Sequence, residues 1–384
     1  MLLRTKGIAH NIQKAVVGRV TRDLNNLEKS TILICENLIP SNISGFAGLL
    51  TSGNVTDSEI DFPVVSKVPS FEHLFEGDII FINKEGYVKT LYRVNSMHNI
   101  LFVTERCNSN CLMCSQPPKD KDDIDELYTI NLQLISLIPK DCIELCITGG
   151  EPTLMGELFF KTIEHLKEQL PDTEIHILTN GRSFAWSGMA EKLGELAHTR
   201  LMLGIPLYAD YYQVHDYIVQ ANNAFYQTIM GIHNLARHNQ RIEIRVVLHK
   251  ESVPRLTRLA KYIYKNLPFV EHIAFMGLEH IGYTPFNMDK LWIDPYDYME
   301  ELEEAVEFLS GHGMFVSIYN SQLCVLPMSL WKYARKSISD WKNSYLPECS
   351  SCVKLQDCGG MFIWNLDRCS RKIKPIKLDS SVPT

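Results

Sequence analysis

Three cysteines stand in a C-x3-C-x2-C spacing in Thr104-Glu-Arg-Cys107-Asn-Ser-Asn-Cys111-Leu-Met-Cys114-Ser-Gln-Pro-Pro, directly after the apolar run Ile100 to Val103. Thiolates at this spacing can point at one centre while the backbone between them wraps it. A cubane iron–sulfur cluster has four irons, so three protein ligands leave one iron open, as open catalytic metal sites differ from closed structural ones. The alternative is a helix that turns Cys at i, i+4 and i+7 toward a core. Asn108-Ser109-Asn110 and Pro117-Pro118 are poor helix formers and argue for a loop. A second group, Cys349-x2-Cys352-x5-Cys358-Gly-Gly, is preceded by Cys324. Four thiolates are enough to close one centre, whether iron–sulfur or zinc. Cys35, Cys142, Cys146 and Cys369 remain; Cys369 could replace one of the four ligands, and Cys35 reads as core.

These residues sit in a chain of 384 residues that is 45% hydrophobic and 22% charged, long enough for two or three domains and a large core. A net charge of -7, a pI near 6.0 and scattered basic residues give no nucleic-acid footprint. No apolar signal core follows Met1-Leu-Leu-Arg-Thr-Lys and no run of 18 apolar residues occurs, so neither export nor a membrane partner is expected. The expected compartment is the reducing cytoplasm, where the 11 cysteines point to metal or redox chemistry rather than to disulfides.

Residues 1–97 read as β-rich. Thr31-Ile-Leu-Ile-Cys, Asp78-Ile-Ile-Phe-Ile and Tyr87-Val-Lys-Thr-Leu-Tyr are short apolar runs broken by Gly, Asn and Pro at hairpin-like intervals, with a tight turn at Asn83 to Gly86. A small barrel that binds a protein or peptide, or a structural extension, would fit. From Ile100 the pattern changes to parallel βα units. Strands are expected at 100–103, 143–148, 174–179, 201–208, 242–249 and 272–276. Helices are expected near 124–138, 158–170, 189–196, 225–238 and 254–267. Alternation sends Cys142, Glu144, Cys146 and Thr148 inward on one strand, Met202, Gly204, Pro206 and Tyr208 on another, and Glu243, Arg245, Val247 and His249 on a third. An acidic helix over 295–309, capped by Asp294, and a strand at 314–319 follow.

Loops at the strand ends carry further candidates. In Thr148-Gly149-Gly150-Glu151-Pro152-Thr153 the glycines let the backbone approach a small ligand, and Glu151 can accept from an ammonium group; a plain βα turn is the alternative. Leu178-Thr179-Asn180-Gly181 closes the next strand. Arg245 is a charge in an otherwise apolar strand, satisfied by a ligand carboxylate or by a salt bridge to Glu243, Glu144 or Asp216.

The first cysteine motif has the spacing of the radical S-adenosylmethionine (SAM) superfamily, and the wording TERCNSNCLMCSQPP resembles the His-Xaa-Ser system radical SAM maturases. The resemblance implies an α/β fold. Its parts are a partial (β/α)6 TIM-like radical SAM barrel over 98–312, an N-terminal β-rich domain over 1–97, and a C-terminal twitch-type auxiliary-cluster extension over 313–384. Cys107, Cys111 and Cys114 would hold a SAM-binding [4Fe-4S] cluster. Gly149, Gly150 and Glu151 would hold the amino end of S-adenosyl-L-methionine, Thr179 and Asn180 its ribose or carboxylate, and Met276 and Gly277 its adenine. Relatives carry a Ser on the fourth strand and an Arg after a His-Asp pair; Ile205 to Tyr208 and Val219 stand at those places here, so these contacts do not transfer. Cys324, Cys349, Cys352 and Cys358 resemble the ligands of an auxiliary [4Fe-4S] cluster, and Phe362 stands where the longer SPASM form has another Cys.

The implied reaction is reductive cleavage of SAM to a 5′-deoxyadenosyl radical, used to modify a ribosomally made His-Xaa-Ser repeat peptide, oxidatively at His or Ser. The partners would be the peptide, a second radical SAM maturase, a small accessory protein and an external electron donor. Tyr208, Glu144, Glu243 and His249 are candidate relays from strand alternation alone. A radical SAM enzyme on a small molecule or a sulfatase-like protein, and a non-enzymatic zinc-binding scaffold, are the alternatives.

Overall fold

The computed structural model describes residues 3–36, 43, 45–55, 61–337 and 342–377. The chain divides into two compact units, one made of Met1–Val103, Asp122–Ile147 and Glu157–Glu174, the other of Thr104–Lys121, Thr148–Gly156 and Ile175–Thr384.

The first unit holds β1 (Arg4–Lys6), β2 (Ile8–His10), β3 (Val16–Thr21), β4 (Thr31–Cys35), β5 (Gly48–Thr51), β6 (Val64–Ser66), β7 (Ile79–Ile82) and β8 (Tyr87–Tyr92). They form one sheet in the order β1-β8-β7-β3-β4-β5-β6-β2. The two ends of that order are a single stretch of chain interrupted at Gly7, so the N-terminal strand pairs with β8 by its first half and with β6 by its second, closing the sheet on itself. Gly7 is needed there because a Cβ would lie 2.2 Å from the Ser66 carbonyl oxygen. β7 and β8 are a hairpin turned at Asn83 to Gly86, with Gly86 at φ +78°. The expected succession of hairpins fails for β3 to β6, which pair in parallel. The reason is burial on both faces: along β4, Ile32 and Ile34 enter one core cluster while Leu33 enters another, and Leu50 and Leu49 of β5 divide in the same way. The unit also contains β9 (Asn99–Phe102), α1 (Ile124–Leu137), β10 (Glu144–Thr148, its last residue in the second unit) and α2 (Glu157–Gln169). Ile143, the first residue of the strand expected at 143–148, precedes β10 and is 66% exposed, whereas Leu145 and Ile147 are buried.

The second unit is α/β. β11 (Glu174–Leu178), β12 (Leu201–Pro206), β13 (Arg241–Leu248), β14 (His272–Gly277), β15 (Val316–Tyr319) and β16 (Ala334–Arg335) pair in sequence, all in parallel. Between them run α3 (Ser187–Glu195), α4 (Tyr212–Val219), α5 (Ala224–Arg237), α6 (Leu256–Asn266), α7 (Met288–Leu291) and α8 (Met299–Gly311). The odd-numbered Leu203 and Ile205 of β12 and the even-numbered Ile242, Ile244, Val246 and Leu248 of β13 are buried core. Their neighbours on the opposite face are the polar and small residues that alternation assigns inward. Asp294 does cap, accepting from Tyr296 N at 2.9 Å, but it opens a 3-10 turn at Pro295–Tyr298 and α8 begins after it. Among the described residues no helix is long and apolar enough to cross a membrane.

Candidate functional site

Residues 104–119 form a loop with no helix in it, which removes the reading of the three cysteines as a core-facing helical stripe. Its shape comes from anchors distant in sequence. Asn110 N and Leu112 N donate to the Val219 and Ile218 carbonyls at the end of α4, Asn287 Nδ2 donates to the Leu112 carbonyl at 2.8 Å, and Tyr283 N donates to that of Cys114 at 2.9 Å. Leu112 and Met113 sink into a cluster with Tyr208, Ile218, Val219 and Leu278. Apolar burial thus pins the centre of the loop and leaves the sulfurs facing a cavity. Burial pushes the Cys107 thiol up to about 11, helped by the Glu151 carboxylate, and it raises Cys111 and Cys114 as well. Such thiols become thiolates when a metal supplies the positive charge.

Gly149 and Gly150 approach the backbone of this loop. A Cβ on Gly149 would stand 2.5 Å from the Thr104 carbonyl oxygen, and one on Gly150 would stand 2.0 Å from that of Arg106. Gly150 N donates to the Thr104 carbonyl at 2.7 Å and Glu151 N to that of Arg106 at 2.8 Å, a short ladder that fixes one loop against the other. Gly150→Ala forces these backbones apart and is expected to cost about 3 kcal/mol, on the scale of overpacking a tight core site. A lowered thermal midpoint, together with loss of iron binding by the 104–119 loop, checks this.

Glu151 is anchored inside the protein. Its side chain is fully buried and its carboxylate already accepts four hydrogen bonds: from Thr153 N at 3.1 Å, Thr153 Oγ1 at 2.7 Å and Thr179 Oγ1 at 2.6 Å on Oε1, and from Asn180 N at 2.7 Å on Oε2. It does not line the cleft. Three of these bonds fall on Oε1 and one on Oε2, so Glu151 ties the Gly-Gly loop to the end of β11 and keeps one acceptor position on Oε2.

The β11 end in turn grips the cysteine loop. Asn180 Nδ2 donates to Asn108 Oδ1 at 2.6 Å and lies 4.0 Å from Cys107 Sγ. Arg182 has no signal in the sequence beyond being two residues past Asn180, yet it donates to the Asn108 carbonyl, to Ser109 Oγ at 2.9 Å and to Gln227 Oε1 at 2.7 Å. Its charge opposes the upward shift of the Cys107 and Cys111 thiols. Arg182→Gln is expected to cost this loop on the order of 2 kcal/mol, since hydrogen bonds from a charged donor contribute about 1.5–3 kcal/mol. Iron released to a chelator at a lower concentration than from the parent protein would check it.

The cysteine loop and the strand ends border one cleft of about 320 Å³. Cys107, Cys111 and Cys114 line one part of it, with Thr148, Gly149, Gly150, Thr179 and Asn180 from the strand ends; Tyr208, Arg245, Met276 and Gly277 line it as well. The C-terminal part of the chain adds Lys342 and Phe362, which sequence reasoning missed as cleft residues. Among the described residues Glu279 is the one carboxyl lining the cleft; burial raises it and Lys342 draws it back. Three of the candidate relays stand apart. Glu243 is buried beneath the cleft, paired with Arg245 at 2.8 Å. His249 is wholly buried, held near 3 by desolvation and thus neutral, its Nδ1 accepting from Glu251 N at 3.2 Å. Glu144 belongs to the first unit. Tyr208 alone of the four reaches the cleft, and burial pushes its phenol up.

Cys324, Cys349, Cys352 and Cys358 line a second cavity, although Cys324 is 25 residues from the next of them. Ile376 N donates to Cys352 Sγ at 3.3 Å, and burial raises the Cys324 and Cys349 thiols. Cys369 is not among them; it lines a different cavity beside Asn320 and Ser370. Cys35 lies half-buried in the first unit. Among the described residues no three His, Cys, Asp or Glu side chains converge on a single-ion site. All-thiol sets of three and four are the donor chemistry of iron–sulfur clusters, so both groups fit that class of centre.

The family model of the radical SAM superfamily matches residues 101–263. Over those residues the chain is similar to the radical SAM superfamily. An uncharacterized protein of Methanocaldococcus jannaschii is 27% identical over 240 residues, 62% of this chain and 78% of that protein. SuiB of Streptococcus suis bound to S-adenosylmethionine aligns at a TM-score of 0.47 and 14% identity, over 65% of this chain and 55% of that one. A radical SAM methyltransferase from Sphaerobacter thermophilus aligns at 0.44 and 13%, over 65% of this chain and 75% of that one. The chain spans about half the length of the SuiB structures it matches. Within the matched residues lie the cysteine loop, the Gly-Gly-Glu segment, the end of β11 and Arg245.

Proposed function

We propose that this chain is a radical SAM enzyme that uses two iron–sulfur clusters to modify a ribosomally made peptide. The observation that carries the reading is that three thiols of one loop, the Gly-Gly segment and Arg245 border a single cleft. Cys107, Cys111 and Cys114 hold the SAM-binding cluster, and Cys324, Cys349, Cys352 and Cys358 an auxiliary one. Loaded in this way, the centre supplies an electron that cleaves the C–S bond of SAM and thereby a carbon radical able to take a hydrogen atom from the substrate. The protein's part is binding and exclusion. Arg245 takes the SAM carboxylate, the open backbone at Gly149 and Gly150 accommodates the methionyl end, Met276 and Gly277 border the adenine, and Tyr208 and Phe362 keep water from the reacting face.

The substrate is a His-Xaa-Ser repeat peptide, changed oxidatively at His or Ser. The partners are a second radical SAM maturase, a small accessory protein and an external electron donor, and the setting is the cytoplasm. A small-molecule substrate is the second reading. It gains support from the closed sheet of the first unit, whose two end strands are one stretch of chain and offer a peptide little strand edge to extend.

The test is anaerobic reconstitution with iron and sulfide, followed by SAM and dithionite. Formation of 5′-deoxyadenosine is expected, and its absence from protein with a full cluster spectrum would sink the enzyme reading. Added precursor peptide should then emerge lighter by one hydrogen molecule. An unchanged mass with inverted stereochemistry would replace oxidation by epimerisation.

A further inference from the structure

The strand face that lines the cleft continues beneath it as a polar layer. Gly204, Glu243 and His272 stand side by side in register on β12, β13 and β14. Glu243 and His272 are 5% and 8% exposed. Glu243 Oε1 accepts from Arg245 Nη1 at 2.8 Å, and its Oε2 lies 2.7 Å from His272 Nδ1. The other nitrogen of His272 is 3.0 Å from Ser317 Oγ on β15, and His176 Nε2 from β11 stands 3.6 Å from Glu243 Oε1. Residues of β11 and β14 therefore meet the buried carboxylate of β13, and β15 backs His272 behind it. Despite its burial that carboxyl is drawn down to about 2 by the hydrogen bond from His272 and the charges of Arg245 and His176, so it is an anion throughout the working range.

Arg245, one step further along the same face of β13, is the charged member of this layer that lines the cleft, with Gly204 beside it. Its second contact is with Met276 Sδ at 3.2 Å, a weak acceptor. A guanidinium carries five donors, so most of its capacity is left for a ligand. Gly204 gives it room. A Cβ there would lie 3.0 Å from Arg245 Cδ and 2.8 Å from His176 Nε2, so any larger residue would push the arginine stem off β12.

We propose that Glu243 is a positioning residue which, backed by His272 and Ser317 and with Gly204 beside it, fixes Arg245 as the carboxylate receptor of the cleft. A long flexible cation loses side-chain freedom when it binds an anion, and a buried anionic support that is itself held in place removes that cost in advance. The inference rests on the SAM reading above, and the carboxylate is that of the methionyl end of SAM.

The test is equilibrium dialysis of SAM and of decarboxylated SAM against the reconstituted protein, the Glu243→Gln and Arg245→Ala variants and the double variant. The parent should prefer SAM. Glu243→Gln should weaken SAM binding by about tenfold, the scale of one charge-assisted contact, while leaving decarboxylated SAM nearly unaffected. The double variant should bind SAM no more weakly than Arg245→Ala alone, because a residue that acts through another has nothing to add once that other is gone. A Glu243→Gln protein that is less stable but keeps the parent's preference for SAM overturns the proposal, as do losses that multiply in the double variant. If Glu243→Gln does not fold, His272→Asn makes the same measurement from the next member of the layer. Arg245→Ala with unchanged SAM affinity would place the carboxylate elsewhere and end the proposal while leaving SAM binding in place; a parent protein that binds no SAM would end both.

Discussion

Replacing Cys107, Cys111 and Cys114 together by Ala will abolish 5′-deoxyadenosine formation and lower reconstituted iron from about eight to about four per chain, the difference being one cubane cluster. The remaining iron is expected on Cys324, Cys349, Cys352 and Cys358, which border their own cavity and share no lining residue with the first cleft. The loop itself should survive. Its position comes from Leu112, Met113 and the backbone bonds to Ile218, Val219 and Tyr283, none of which uses a thiol. A variant that folds as the parent does but binds no iron would assign the second cavity to zinc or leave it without metal, and the oxidative mechanism would go with it. Iron counted together with sulfide and zinc on the same samples decides between these outcomes.

Glu151→Ala will be the most destabilising single change at the site. It strips the acceptor from two backbone amides, Thr153 N and Asn180 N, and from two hydroxyls, in a place with no access to water. The hydroxyls have other partners, since Thr153 Oγ1 also meets Ser183 Oγ at 2.7 Å and Thr179 Oγ1 accepts from Gly181 N. The amides have none to turn to. An unsatisfied buried group costs about 1–3 kcal/mol, so two amides and a cavity together imply about 3–5 kcal/mol. Glu151→Gln keeps one oxygen but sets an NH2 against an N–H, and should fall between the parent and Ala. Denaturant midpoints measured without iron or SAM will show this order. Equal stability of all three proteins would return Glu151 to the role of a ligand-facing group.

The sequence on its own carried the local and periodic facts. The five helices expected between residues 124 and 267 lie within two residues of α1, α2, α3, α5 and α6. Strict alternation was enough to send Gly204, Pro206, Tyr208, Arg245 and Val247 to the face that lines the cleft, because side-chain direction in a strand depends on nothing but position. Cysteine spacing marked both thiol groups, since three ligands separated by two to five residues meet wherever the loop goes.

Tertiary structure decided whatever depends on which remote segment arrives next to which residue. Glu151 looks like a free acceptor in the chain, yet the end of β11 folds onto it and takes up an acceptor position on each oxygen. The two glycines before it prove to be spaces for the Thr104 and Arg106 carbonyls, which no local pattern foretells. Arg182 clamps the cysteine loop from 74 residues away, and Cys324 joins the second thiol set where Cys369 does not. β3 to β6 run parallel rather than as hairpins because their apolar runs are covered on both faces, and coverage is a property of the packed unit. Arg245 was ambiguous between a salt bridge and a ligand for the same reason. One short bond to Glu243 leaves most of its donors at the cleft, and both descriptions hold at once.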